Sequence, residues 1–524
     1  MKKTKLTVAA SLIITCGMVI AQILPPRPVP SEAPASEFSA ERAIEHIRVI
    51  AQRPHPTGSE ENRAVREYIL NELTSLGLET ETQRDGDLEN VLGWIPGTHS
   101  SDALLLTAHY DSTVQSPGAM DDGSGVAALL ETARALTSHP RPRNTIVFLF
   151  TDGEEGGLFG AKAFIAHHPW AKDVRIVIGL DAGGIRGPAV LSTTSPNNGW
   201  LIRQLIQAGD TIIGNSAISS LGYSSTDFGR AFKPAGYSGY AFDLYWDKRD
   251  GAEDNLDNIN PASVQHHGNH ALALARHFGN LEGMVDPQEP DAVYFSILQL
   301  FTINYPSSWA GAISLVVAVI FIIVLVYGLR RGILSLRGMA YGALILLASL
   351  IFASIPYLFL EYVIGYWEPK ATFDWDHRLV DQPLPMSVIF LSSLALIILW
   401  HSLSRMNNKI NLSDITLGAL APMGIGVCVT SIILPGISFA FTWPLLICLL
   451  ERIIWFRNPT NGNSTGATLR LAISGIVVTA IVLPSILLGI FDQLLLSLAS
   501  LGVLCGFLLP HIHFLLGNLP TNLT

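Results

Sequence analysis

The sequence predicts an α/β domain, its mostly parallel or mixed sheet covered by helices, followed by an all-α polytopic transmembrane bundle. Three observations predict it. Hydrophobic residues make up 49% of the 524 positions and charged residues only 15%, and the mean hydropathy is +0.37, too apolar for a soluble chain of this size. The apolar residues are unevenly spread: 38–283 has the composition of a soluble domain, and 307–516 that of a membrane bundle. Within the first part, short apolar runs of buried-strand type alternate with amphipathic stretches, the pattern of a helix-covered sheet.

Taken in order, "MKKTK" precedes an apolar run over 6–24 and then the proline-rich "PPRPVPSEAPAS". The run reaches the roughly 20 residues that a span needs and no small-x-small cleavage site closes it, so it reads as a signal anchor rather than a cleaved leader. Segment 1–37 is therefore anchor and linker, 38–285 the α/β domain and 286–524 the membrane domain. In the α/β domain, 41–52 and 60–76 read as amphipathic helices, the second stopped by Gly77. "ALLLTAH", "NTIVFLFT" and "VRIVIGLDA" read as buried strands, with helical stretches at 125–136 and 158–167 between them.

Beyond Pro287, "YFSILQLFTI" is too short to span and suits the interface or packing against the bundle. About seven longer runs follow, over 308–329, 339–365, 386–403, 415–434, 437–456, 468–491 and 493–516. The connections "LRRGILSLRG", "SRMNNKINLSD" and "ERIIWFRNPTNGNSTGATLR" are basic, whereas "EPKATFDWDHRLVDQPLP" is acidic. By the positive-inside rule the basic loops and both termini face the cytoplasm, and the α/β domain is extracytoplasmic, in a periplasm or a lumen. A lipid bilayer is thus one partner.

The four cysteines, Cys16, Cys428, Cys448 and Cys505, all lie in apolar runs, so any metal in the polar domain is held by His, Asp or Glu. The net charge of −10 leaves no basic stripe for phosphates, which excludes nucleic acid as a partner. The weightiest segment is "TAHYDSTVQSPGAMDDGSG", residues 107–125. His109 ends a strand, as a rigidly held imidazole ligand should, and Asp111 is suited to accept its other ring N–H and fix the tautomer. Asp121 sits before a glycine-rich turn into a helix, where a carboxylate can bridge two cations. In "FTDGEEGGLFG", Glu154 and Glu155 point in different directions, so one can ligate while the other acts as general base. Asp181 in "IGLDAGG" ends a third strand. Singly, each is ordinary turn chemistry. Jointly, three strands end in metal-ligand types on one edge of a sheet, where open α/β sheets bind their ligands.

At these residues the sequence resembles the M28 family of zinc-dependent peptidases, and more closely its membrane-anchored branch. "TAHYDS", "GAMDDGSGVAALLE", "FTDGEEGGLFGAKAF", "LDAGG", "RPHPTGS" and "NPASVQHHGNHALALARHF" match in kind and order over about 40–279. The resemblance implies a zinc-exopeptidase-like fold and a peptidase, most often an aminopeptidase, acting on peptide substrates. It implies two Zn²⁺ ions: His109 and Asp181 on one, Glu155 on the other, Asp121 bridging, and Glu154 as general base. In one place the sequence departs from the pattern. The family's last ligand is a histidine eleven residues before the proline of "PASLQHHG", and counting back from Pro261 gives Asp250. Asp can ligate zinc, but it makes the centre one unit less positive. The expectation is weaker activity, a higher pH optimum or a harder metal.

Two rival readings remain at this point. One is an inactive peptidase-like membrane scaffold or receptor, supported by Asp250, and the other is a single-zinc glutaminyl-cyclase-like enzyme, against which Asp121 stands beside both His109 and Asp181. His266 and His267 sit in a predicted helix and are set aside as ligands. A transporter reading finds no internal repeat and few intramembrane charges.

Overall fold

The structure, a computed structural model, describes residues 2–348 apart from 100–101, 210–211, 222–223, 225, 247–250, 287 and 299–300, and then 412–457, 465–489, 504, 507–508 and 511. It contains two compact units, Leu24–Ala292 and the combination of Met1–Ile23 with Val293–Thr524.

In the first of these, α2 (Ala40–Ile50) and α3 (Glu60–Ser75) precede β1 (Glu79–Asp85), β2 (Leu88–Ile95) and β3 (Ala103–His109). Then come α4 (Gly123–Thr137), β4 (Thr145–Thr151), α5 (Phe159–His167), β5 (Val174–Ala182) and β6 (Arg186–Thr194). Helices α6 (Gly199–Gln207) and α7 (Ser216–Leu221), strand β7 (Ser238–Trp246) and α8 (Pro261–Asn280) complete it. Helices α2 and α3 start where Ser39 and Ser59 each accept a backbone N–H of the first turn.

Seven strands form one sheet in the order β1-β2-β4-β3-β5-β7-β6. The centre, β4-β3-β5-β7, is parallel, and both edges are antiparallel. Every residue of β3 and β4 is buried, which is why these strands are unbroken apolar runs: helices cover both faces of a parallel core. Register pairs His109 with Thr151 and Asp181 with Asp243, so the carboxyl ends of β3, β4, β5 and β7 fall along one edge.

The proline-rich segment before α2 is laced to this unit. Val29 donates its N–H to Gln265, Arg42 reaches the carbonyls of Ser31, Ala33 and Glu37, and Arg134 reaches those of Ala35 and Glu37. At their centre Glu131, fully buried, binds the guanidinium groups of Arg42 at 2.8 Å and Arg134 at 2.5 Å.

The other unit holds α1 (Lys2–Ile23) and, beyond Ala292, a two-stranded sheet of β8 (Ala292–Ile297) and β9 (Phe301–Pro306). The segment "YFSILQLFTI", expected at an interface or against the bundle, thus falls largely in this sheet. Helices α9 (Trp309–Arg330), α10 (Leu336–Ala348), α11 (Leu412–Ile433), α12 (Phe439–Arg457) and α13 (Thr465–Gly489) follow. Among the described residues four helices are long and apolar enough to cross a membrane: Lys5–Ile23, Trp309–Arg330, Ser413–Ile433 and Phe439–Phe456. The expected span 386–403 lies outside the described residues, as do most of 339–365 and 493–516.

Contacts fix the helix directions. Ser314 near the start of α9 meets Ser431 near the end of α11, so these two are antiparallel. Tyr305 lies against Trp443 and Tyr327 against Phe456, so α9 and α12 run the same way. Val8 of α1 packs on Leu471 of α13 and Leu12 on Gly475. Both sides advance by four residues, so α1 and α13 are parallel.

Candidate metal centre

His109 is the last residue of β3, and its ring is 2% exposed. Nδ1 lies 3.0 Å from the main-chain oxygen of Asp111 and 3.5 Å from its carboxylate. A carbonyl only accepts, so Nδ1 donates here and Nε2 is the nitrogen turned to the carboxylates. Nε2 faces Asp121 Oδ1 at 3.1 Å and Asp181 Oδ1 at 3.6 Å, donating to them while the ring is protonated and free to ligate once a metal displaces that proton. Donor atoms of His109, Asp121 and Asp181 all lie within 4.8 Å of one another. Three predicted ligands from separate segments therefore converge.

The carboxylate of Asp111 has a further role. It accepts the backbone N–H of Glu154 at 3.0 Å and that of Glu155 at 3.2 Å, tying the loop after β4 to the loop after β3. Gly153 just before them has φ +74°, a conformation that glycine adopts without strain. Glu155 is exposed and Glu154 half-buried. Among the described residues Glu155 is outside the convergent group of three, and Asp250 lies outside the described residues.

Around these stand carboxylates that the sequence reading did not single out. Asp122 caps α4 through Gly125 N–H at 2.9 Å and accepts the N–H of His109 at 3.2 Å. A Cβ at Gly125 would lie 2.4 Å from the Asp122 carboxylate oxygens, which is why glycine follows here. Asp152 accepts from Thr57 at 3.0 Å, Asn62 at 3.2 Å and Glu89 N–H at 3.2 Å, so "RPHPTGS" serves to anchor the loop that carries Glu154. Asp227, 5% exposed, receives the Thr151 hydroxyl at 2.5 Å, and its other oxygen is buried without a hydrogen-bond partner. Asp254 accepts the N–H groups of Met120 at 2.7 Å and Asp121 at 3.0 Å. Only "DD" and "TDG" gave any signal, by adjacency to predicted ligands. His266 and His267 are core residues of α8, the first accepting the N–H of Ala189 at 2.9 Å.

The protein's own charges leave this site short of cations. Burial pushes the Glu154 carboxyl up to about 10, with His109 opposing and the carboxylates of Asp181, Asp227 and Asp121 adding to it. Desolvation within the cleft likewise lifts Asp121 to about 8, although 39% of its side chain still meets solvent, against the His109 hydrogen bond and with repulsion from Asp181 and Glu155. Asp227 rises to about 7, again chiefly through burial. Burial alone would lower His109, but hydrogen bonds to Asp111, Asp121 and Asp181 outweigh it and hold the ring well above its usual value. A divalent ion would relieve this crowding, and a neutral imidazole with two carboxylates is a donor set that zinc accepts. The residues present fit that metal.

A parallel-centred sheet whose strand ends gather an imidazole and carboxylates, beside a carboxyl of raised pKa, is the arrangement of a site that can hold a divalent metal. Residues 90–275 match Peptidase family M28, and the chain carries an M28 peptidase domain. Among curated relatives, the vacuolar membrane protease of Candida albicans is 33% identical over 301 residues, 53% of this chain and 34% of that protein. Endoplasmic reticulum metallopeptidase 1 of Rattus norvegicus is 27% identical over 440 residues, 73% of this chain and 47% of that protein. The chain thus spans between a third and a half of their lengths. Solved structures that resemble it include an aminopeptidase from Aneurinibacillus sp. strain AM-1, at 14% identity and TM-score 0.39 over 46% of this chain and 94% of that one. Another is glutaminyl cyclase from Porphyromonas gingivalis, at 21% identity and TM-score 0.37 over 45% of this chain and 97% of that one.

Proposed function

We propose that the protein is a membrane-bound zinc-dependent aminopeptidase that hydrolyses peptides on the extracytoplasmic side. The observation that carries this reading is the convergence of His109, Asp121 and Asp181 beside Glu154, inside an M28 domain. His109, Asp181 and Asp121 would hold zinc there, Glu155 would serve a second ion, and Asp250 would complete the set in place of a histidine. Bound zinc supplies Lewis acidity toward the scissile carbonyl and toward water. Glu154 takes the proton of the attacking water and returns it to the departing amine. Asp111 holds the backbone that aims Glu154.

Charge supports action at a free N-terminus. Asp111, Asp121, Asp122, Glu154, Glu155, Asp181, Asp227 and Asp254 crowd one histidine. Two zinc ions would balance only four of these eight carboxylates. The remaining negative field favours an α-ammonium and disfavours a C-terminal carboxylate. Orientation is supported by the parallel packing of α1 and α13, which brings the N-terminal "KKTK" to the end of α13 that carries Arg470, and the sequence joining α12 to α13 is basic.

The test is Glu154→Gln in the full chain. Hydrolysis of free-amine peptides should vanish while zinc content stays near wild type, and N-acetylated peptides should be poor substrates of the wild type. Unchanged turnover in the variant overturns the role of Glu154. A single-metal reading, as in a glutaminyl cyclase, draws on the convergence of one three-residue group alone. One zinc per chain with cyclisation of glutaminyl peptides would favour it, and no zinc at all would favour a scaffold. Asp250→His should raise activity if Asp250 is a ligand.

A further inference from the structure

We propose that Asp254 is a positioning residue for the metal centre: its carboxylate clamps the backbone that presents Asp121 and so sets the distance between Asp121 and His109. The inference rests on the metallopeptidase reading above. Asp254 follows a short turn, Gly251–Glu253, and is 5% exposed. Its Oδ1 accepts Met120 N–H at 2.7 Å and its Oδ2 accepts Asp121 N–H at 3.0 Å. The Ser116 hydroxyl lies 3.5 Å from Oδ2, and the Asp254 main-chain oxygen receives Ala119 N–H at 3.4 Å. The loop 116–121 is thus wrapped around one residue more than 130 positions downstream.

Two features separate a clamp from ordinary packing. First, consecutive N–H groups converge on the two oxygens of one side chain. An amide of the same shape offers a single acceptor and would set an NH₂ against the second donor. A buried carboxylate is costly to keep, so its retention here needs a purpose that asparagine cannot serve. Second, the Asp121 side chain is itself weakly held. It is 39% exposed, and among the described residues its only hydrogen-bonding partner is His109. Its position is therefore set from the main chain, where Asp254 holds the N–H groups of Met120 and Asp121 while Gly123 and Ser124 hold the carbonyls of Gly118 and Met120.

The experiment titrates zinc into metal-stripped full-length protein in detergent micelles, against a chelator of known affinity, for wild type, Asp254→Asn and Asp254→Glu. Loss of an outer hydrogen bond to a metal ligand weakens binding about 10- to 100-fold, and that is the expectation for Asp254→Asn. Asp254→Glu, which keeps two acceptors, should fall between it and wild type, and it carries the test should the Asn protein not fold. The melting temperature of the metal-stripped variant should stay near wild type, and saturating zinc should restore kcat with KM unchanged. Affinities equal to wild type in both variants overturn the clamp. So does a metal-free protein that melts early and regains no kcat with zinc. Wild-type protein that takes up no zinc instead fails the metallopeptidase reading itself, and the clamp with it.

Discussion

The carboxylate of Asp111 receives the backbone N–H of Glu154 at 3.0 Å, so the residue two positions after His109 holds the backbone of Glu154, the general base of the proposed reaction. Burial would raise Asp111, but its hydrogen bond with His109 and the Glu154 and Glu155 amides outweigh it and hold it low. Asp111 therefore stays an anion and a strong acceptor. Asp111→Asn should lower kcat by about 10- to 100-fold with a smaller change in KM, read in steady-state kinetics at saturating zinc.

Stability of the metal-stripped protein should depend on pH in an unusual direction. Asp121 is lifted to about 8 and Asp227 to about 7, so the folded chain keeps protons that the unfolded chain releases near pH 4. A raised folded pKa contributes stability that is full below the unfolded value and is lost as pH climbs through the folded one. The melting temperature of stripped protein should therefore fall between pH 5 and pH 8. Zinc should reverse the loss, and its binding at pH 7 should release protons measurable by calorimetry in buffers of different ionisation enthalpy.

The centre of the fold was legible because its strands are buried on both faces. "ALLLTAH", "NTIVFLFT" and "VRIVIGLDA" are β3, β4 and β5, and an unbroken apolar run is what a helix-covered parallel strand must be. The edge strand β1, "ETETQRD", is polar with one buried residue, so it left no such trace. Among site residues, His109 and Asp181 could be found because they end readable strands, and Asp121 because glycines surround it. Asp254 could not. It stands among Glu253, Asn255 and Asp257 like a solvated turn, and its partners are over 130 residues away. Asp227 is hidden for the same reason, since its hydroxyl donor Thr151 is 76 positions upstream.

Glu131 is the hub that ties the proline-rich strap to the α/β unit. It is fully buried and faces Arg42 and Arg134 with the Ser39 N–H. Removing one partner of a buried ion network strands the other charges and costs about 3–5 kcal/mol. Glu131→Ala should lose that much in denaturant unfolding of a 24–292 fragment. Proteolysis should then cut first within residues 29–37, where the carbonyls now held by Arg42 and Arg134 would be released. Equal stability and unchanged cleavage would show the strap to be held by other groups.

The parallel pairing of α1 and α13 turns on one small residue. At Gly475 a Cβ would sit 2.8 Å from Leu12 Cδ2, and Val8 is fully buried against Leu471. Close helix approach over small residues is the main source of association inside a bilayer, where no hydrophobic drive separates helix from lipid. Gly475→Leu should force the helices apart at a cost of about 1–3 kcal/mol. The readout is an oxidative cross-link between cysteines placed at Val8 and Leu471, in a background with the four native cysteines replaced. The cross-link should form in the otherwise unaltered chain and be lost with Gly475→Leu, whereas a pair at Ile20 and Leu471 should not form one. Cross-linking of the second pair in preference to the first would reverse the direction of α1, and with it the placement of the N-terminal lysines at the Arg470 end of α13.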